Sequence, residues 1–96
     1  MINIVIALQS EAKALIDHYR LNGRNTAAGF RIYENTEIRL IVSGIGKTAS
    51  AAATAYLYAC NGEQQNQAWL NIGVAGHDTL PLATLILANK ISDDAT

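Results

Sequence analysis

An apolar, β-branched run from Ile2 to Leu8 opens the chain, and it restricts the fold more strongly than any later segment. Asn3 is the one polar residue within this run, so the run lacks the alternation of a half-exposed strand. It is typical of a strand that is covered on both faces, as in a parallel sheet. The apolar residues that follow recur at helical spacing and are Ala12, Leu15, Ile16 and Tyr19.

The remaining pattern predicts an α/β fold. We expect Ser10 to cap the first helix and Asn22-Gly23 to end it, with a polar loop over 24–29. The alanine-rich stretch 47–61 predicts a second helix. The predicted strands are Ile2–Leu8, Phe30–Glu34, Glu37–Val42, Ala68–Val74 and Ala83–Ile91. Because strands and helices alternate around a hairpin, we expect a mixed sheet with flanking helices.

Composition excludes several classes of protein. A length of 96 residues allows one domain, 1–96, and 50% apolar residues are enough to exclude a disordered chain. Cys60 is the only cysteine, so a disulfide scaffold is excluded. The net charge is −1 and the basic residues are scattered, so no nucleic-acid partner is expected. No apolar stretch reaches the ~18 residues of a membrane helix, so we expect no membrane partner and a cytoplasmic location.

The low charge also bears on assembly. Only 16% of the residues are charged, which leaves few polar side chains to cover the surface of so small a domain. Part of this surface is therefore expected to pack on another subunit, as in a homo-oligomer, or on a further part of a longer chain.

A glycine-rich turn, Ser-Gly-Ile-Gly-Lys-Thr at 43–48, separates a predicted strand from the second helix. It is not a complete phosphate-binding loop, because Ile41 stands where that loop has its first glycine. Gly44-x-Gly46-x-x-Ala49 matches the dinucleotide fingerprint, although no acidic residue ends the next strand. The turn is either one that only glycine fits or one whose backbone N–H groups face an anion or a sugar.

Glu11 is the candidate catalytic residue. It follows the first strand, and ligands of open α/β sheets bind beyond the carboxyl ends of strands. The turns at 44–46 and 75–76 also follow strands, so the three segments converge if those strands are parallel neighbours. Glu11 is then either a general base acting on water or a first-turn carboxylate that favours the helix dipole. His18 and His77 have no second ligand at metal spacing, so we expect no metal and no cofactor.

Three motifs, IVIALQSE at 4–11, VSGIGK at 42–47 and LNIGVAG at 70–76, occur in this order. Together they resemble the nucleoside phosphorylase and nucleosidase superfamily, and most closely the 5′-methylthioadenosine/S-adenosylhomocysteine nucleosidases. The resemblance implies the N-terminal half of a phosphorylase/hydrolase-like fold and a small-molecule nucleoside as partner. It implies that Glu11 activates the water that attacks the ribose. The implied ligand-binding residues are Ala7, Ile45, Gly46, Val74, Ala75 and Gly76.

Hydrolysis is expected rather than phosphorolysis. Many phosphorylases of the superfamily have an arginine at the position of Asn71 and a Ser or Thr at that of Val74, which hold phosphate. A phosphate dianion without such donors is costly to bury. The second half of the family domain carries the Met-Glu pair for the ribose hydroxyls and the aspartate that protonates the base. No residue here matches them, so we expect this chain to be inactive alone. The alternatives are a nucleoside phosphorylase and a nucleotide- or dinucleotide-binding module without catalysis.

Overall fold

The structure is a computed structural model that describes residues 1–61, 66–73, 85–88 and 90–92. None of the helices in these residues is long and apolar enough to cross a membrane. The elements are β1 (Ile2–Ile6), α1 (Gln9–Tyr19), β2 (Asn22–Asn25), β3 (Arg31–Glu34), β4 (Ile38–Val42), α2 (Lys47–Asn61) and β5 (Ala68–Ile72).

The five strands form one mixed sheet in the order β2-β3-β4-β1-β5. The central strand β1 pairs in parallel with β4 on one side and with β5 on the other. The pairs β2–β3 and β3–β4 are antiparallel. The α/β class and the mixed sheet with flanking helices are confirmed.

The two helices cover opposite faces of the sheet. Ile4 and Ile6 of β1 pack in one cluster with Ala12 of α1. Val5, which points the other way, packs in a second cluster with Leu57 of α2. Each of these residues is at most 4% exposed, so β1 is buried on both sides as its apolar run predicts.

The first helix has different ends from those expected. Its N-cap is Leu8 rather than Ser10, and its C-cap is Arg20, in the left-handed conformation with φ 54°. The backbone N–H of Leu21 donates to the Ile16 carbonyl at 3.0 Å and completes the cap. The helix therefore ends before Asn22-Gly23, which open a strand.

The sequence predicts a helix end and a loop where the structure has the strand β2. Its sequence is polar, and all four residues are exposed at the edge of the sheet, so neither hydrophobicity nor alternation marks it. Pairing with β3 decides its conformation. A Cβ on Gly23 would lie 2.7 Å from Cε1 of Tyr33, so glycine lets the buried Tyr33 ring lie against β2.

The prediction of a strand at Ala83–Ile91 is wrong for the residues that are described there. Residues 85–88, 90 and 91 belong to no strand. Leu85 and Leu87 are 97% and 94% exposed. Alternating apolar residues give a strand only where a neighbouring strand pairs with them, and no described strand does so here.

Candidate functional site

The carboxyl ends of three parallel strands lie side by side. Ile6, the last residue of β1, is in register with Val42 of β4 and with Ile72 of β5. The segments that follow these strands therefore emerge at one edge of the sheet, so the condition for the predicted convergence, that the three strands are parallel neighbours, is met. Val74, Ala75 and Gly76 lie outside the described residues.

A cleft of about 470 Å³ opens at this edge, between the ends of β1 and β5 and the first turn of α2. We call it the carboxyl-end cleft. It is lined by Ala7, Ser43, Gly44, Gly46, Lys47, Ser50, Ala51 and Asn71.

Backbone hydrogen bonds hold the β4–α2 turn against β1. The N–H of Ser43 donates to the Ile6 carbonyl at 2.8 Å, and the N–H of Gly44 donates to the Ala7 carbonyl at 3.0 Å. These bonds continue the contact between the two segments by two residues beyond β4 and by one residue beyond β1. The Ser43 hydroxyl donates to the Gly44 carbonyl at 2.8 Å. The floor of the cleft is therefore backbone whose hydrogen bonds are internal.

Glycine is required in this turn by backbone conformation rather than by space. Gly44 and Gly46 have φ of 88° and 103°, in a region that residues with a side chain rarely adopt. A Cβ on Gly46 would meet nothing within 4 Å, and one on Gly44 would meet only the Ala49 methyl, at 3.8 Å. The two glycines reverse the chain between β4 and α2 and leave the cleft without side chains on that side.

The structure brings two of the predicted ligand-binding residues, Ala7 and Gly46, into the cleft lining. Ile45 is not in that lining, and its side chain is 79% exposed to solvent. Its contact with a sugar stays a prediction.

Glu11 has a local structural role in the observed fold. Its Oε1 accepts the backbone N–H of Leu8 at 3.1 Å, so it is the N3 residue of a capping arrangement. Leu8 has no side-chain acceptor, so the reciprocal bond of a capping box cannot form. Glu11 is not among the residues that line the cleft. Its carboxylate is fixed at the carboxyl end of β1, on the helix that covers the other face of the sheet.

Sequence reasoning did not assign five of the lining residues to the site. Lys47, Ser50 and Ala51 are spaced i, i+3 and i+4 in the first turns of α2, and this spacing places them on one side of the helix. Asn71 is in register with Val5, whose side chain faces α2, so the side chain of Asn71 faces α2 as well. The alternation of side chains along β5 is therefore a sequence signal that could have identified Asn71. The fifth, Ser43, ends β4, and its backbone bond to β1 places it there.

The described lining of the cleft carries a single charge, which is positive. Lys47 is the one charged side chain among the described residues that line it. The hydroxyl of Ser50 and the amide of Asn71 are the other polar side chains of α2 and β5 at the cleft. Within the described part of the chain, no three His, Cys, Asp or Glu residues cluster as metal ligands would. The arrangement suits a ligand that carries hydroxyl and amide groups.

The opposite end of the sheet carries a second hollow, of about 520 Å³, and a chain of polar side chains. Glu34 accepts from Arg24 Nε at 2.8 Å and from Arg39 Nε at 2.7 Å. Burial raises the pKa of the Glu34 carboxyl, but the hydrogen bonds from the two guanidinium groups outweigh it and leave the pKa below its usual value.

This chain of bonds continues into the core. Arg39 donates to the Asn61 side-chain oxygen at the end of α2, and Asn61 donates to Asn3 Oδ1 at 3.0 Å. Asn3, which is fully buried, donates to Gln67 Oε1 at 2.9 Å. We call this set of six bonded side chains the amino-end network; its members are Arg24, Glu34, Arg39, Asn61, Asn3 and Gln67. Its side chains form hydrogen bonds with one another across the sheet, so the role that this arrangement indicates is to stabilise the fold.

No protein-family model matches the chain, and no curated protein matches it.

Proposed function

We propose that the chain carries the nucleoside-binding edge of a purine nucleosidase, in which water attacks the anomeric carbon of the ribose. The observation that carries the proposal is the convergence of β4, β1 and β5 on one cleft. The three motifs that resemble the nucleosidases each include the carboxyl end of one of these strands and the residues that follow it. Ligands of α/β sheets bind at such ends.

The lining of the cleft supports a nucleoside as the ligand. Its volume, about 470 Å³, lies within the ~300–1,000 Å³ of small-molecule sites. One wall of the cleft has only small side chains or none, because it is formed by Ala7, Gly44 and Gly46. A sugar or a base can therefore approach the backbone closely there. Ser50 and Asn71 offer a hydroxyl and an amide to the hydroxyl groups of the sugar.

The lining also supports hydrolysis over phosphorolysis. Asn71, which borders the cleft, stands at the position where many phosphorylases have an arginine. A neutral amide cannot balance the charge of a phosphate dianion, and Lys47 alone supplies a single positive charge. Water therefore suits this edge as the nucleophile better than phosphate does.

In the proposed reaction the Glu11 carboxylate, which lies at the carboxyl end of β1 but outside the cleft lining, leaves the Leu8 N–H and takes a proton from the attacking water. The water oxygen bonds to the anomeric carbon, and the bond from that carbon to the base breaks with its electron pair leaving on the base. A proton from an acid then neutralises the base. By the resemblance, the acid and the ribose-binding pair belong to the second half of the family domain.

Nuclear magnetic resonance of the labelled chain tests the binding step. Methylthioadenosine is expected to shift the amide signals of Gly44, Gly46 and Asn71, and to leave those of Arg24 and Glu34 unchanged. Shifts with NAD but not with nucleosides would favour the dinucleotide-binding alternative, for which the left-handed Gly44 and Gly46 are the supporting observation. No shift with any nucleoside would reject the proposal.

A matched pair of alanine variants locates the ligand. Ala51→Leu adds a side chain to the cleft, whereas Ala55→Leu adds the same side chain one turn further along α2, also at an exposed position. We expect Ala51→Leu to weaken nucleoside binding and Ala55→Leu to leave it unchanged. Equal affinities for the two variants would place the nucleoside elsewhere. The chain by itself is expected to bind without turnover, and hydrolysis by the pure chain would show that this part of the proposal is wrong.

A further inference from the structure

The side chain of Ser43 is a buried polar group at the floor of the carboxyl-end cleft. The residue is 9% exposed, and it belongs to the lining of the cleft. Val42, the residue before it, packs on the α1 side of the sheet. Because the backbone bond from Ser43 to β1 continues the pairing of β4, side chains alternate here and Ser43 points to the α2 side. Its hydroxyl therefore lies where a ligand in the cleft can reach it.

The surroundings of the Ser43 hydroxyl fix where its proton goes. Oγ lies 2.8 Å from the Gly44 carbonyl oxygen and 3.5 Å from the Ile6 carbonyl oxygen. A carbonyl oxygen can only accept, so the single hydroxyl proton is used on the protein whichever of the two is its partner. No N–H or O–H group of the described residues donates to Oγ in return. The hydroxyl therefore keeps its capacity to accept but has no proton left for a ligand.

The backbone beside Ser43 has the same polarity. The N–H groups of Ser43 and Gly44 already donate to the carbonyls of Ile6 and Ala7. The floor of the cleft at this point therefore offers acceptors and no donors. An anionic phosphate or carboxylate oxygen, which also only accepts, would lie against this oxygen without a hydrogen bond. An O–H or N–H group of a ligand would find a partner there.

We propose that Ser43 is a specificity-determining residue of the carboxyl-end cleft, and that it accepts a hydrogen bond from an O–H or N–H group of the bound nucleoside. The proposal rests on the proposed function, since it takes a nucleoside as the ligand. Adenosine has such groups in its sugar hydroxyls and its 6-amino group. A ligand that lacks the donor covers the Ser43 oxygen without bonding to it, and this penalty selects the ligand.

Nuclear magnetic resonance titrations of the whole chain with a set of analogues test the proposal. The probes are adenosine, its 2′-, 3′- and 5′-deoxy forms, and purine riboside, which lacks the 6-amino group. We expect one analogue to bind the wild type about fivefold or more weakly than adenosine, as for one lost hydrogen bond. Ser43→Ala should lose the same factor with adenosine and nothing further with that analogue. Thr48→Ala removes an exposed hydroxyl outside the cleft lining and should keep the wild-type pattern.

If Ser43→Ala does not fold, Ser43→Cys gives the same comparison, because it keeps a side chain of similar size with only a weak acceptor. Equal binding of adenosine and all the analogues by the wild type would overturn this proposal and leave the proposed function standing. A loss with one analogue that persists in Ser43→Ala would also overturn it, since another group would then read that position. Failure of adenosine itself to bind would reject the proposed function, and this proposal with it.

Discussion

The two ends of the parallel strands are built from different chemical groups. At the amino end, Asn3, Asn61 and Arg39 bond to one another and connect β1, β4 and α2. At the carboxyl end, Ala7 and the glycines of the β4–α2 turn leave a cleft whose floor is backbone. The difference suggests a division of roles. Polar side chains that satisfy each other stabilise the fold, whereas small residues leave space for a ligand.

The largest expected effect is on catalysis at the carboxyl end. In a form of the protein that turns over nucleosides, we expect Glu11→Gln to lower kcat by ~10²-fold or more with binding within a few-fold. Stability should hardly change, because glutamine at N3 can also accept the N–H of Leu8. Steady-state kinetics with urea unfolding measures both. Glu37→Gln, at an exposed carboxylate of the other end, is the control. A wild-type rate for Glu11→Gln would leave Glu11 with its capping role alone.

At the amino end we expect a substitution to lower stability and to leave nucleoside binding unchanged. Asn3→Ala removes a fully buried amide and leaves Asn61 Nδ2 without its acceptor, so we expect a loss of ~2 kcal/mol in the free energy of unfolding. Asn25→Ala, at an exposed position of the edge strand β2, should change it little. Urea unfolding of the two variants gives the comparison, and equal losses would mean that the amino-end network does not stabilise the fold. Nucleoside affinity of folded Asn3→Ala should match that of the wild type.

Two glycine substitutions distinguish a stability loss caused by backbone conformation from one caused by steric contact. Gly44→Ala forces a side chain into a left-handed backbone conformation although the space beside it is open, and we expect a loss of ~1 kcal/mol in stability. Gly73→Ala, where an added Cβ meets nothing within 4 Å and φ is not left-handed, is expected to be neutral. Thermal unfolding of both variants measures the difference. A neutral Gly44→Ala would show that the turn tolerates other backbone conformations.

The smallest effect concerns acid. Because the folded-state pKa of Glu34 is lowered, its contribution to stability is present above the unfolded value, near 4.5, and is lost as the pH falls through the folded value. The Glu34 side chain is 26% exposed, so we expect the loss to be under ~1 kcal/mol. Urea unfolding at several pH values measures it, with Glu34→Gln as the variant that lacks this slope. An identical pH dependence in the two proteins would contradict the assignment.

How far the sequence predicts the fold depends on the kind of signal in each segment. The apolar run of β1, the apolar and alternating residues of β3 and β4, and the alanine-rich α2 are visible without a structure, because each pattern follows from burying one or both faces. Glu11 and the glycine turn are also visible, and so is their place at strand ends. The capping bond of Glu11 is not, since it depends on Leu8 rather than Ser10 preceding the helix.

Sequence by itself therefore determined the α/β class, most of the elements and the candidate turn, through periodicity and the conformational freedom of glycine. Tertiary structure decided the rest. Polar β2 is a strand because β3 pairs with it and the Tyr33 ring lies over Gly23, whereas the apolar residues 85–88 have no described strand beside them. The strand order, which brings Ala7, Gly46 and Asn71 to one cleft and Asn3, Asn61 and Arg39 to one network, depends on long-range pairing. Pairing is a property of two segments together, so neither segment encodes it alone.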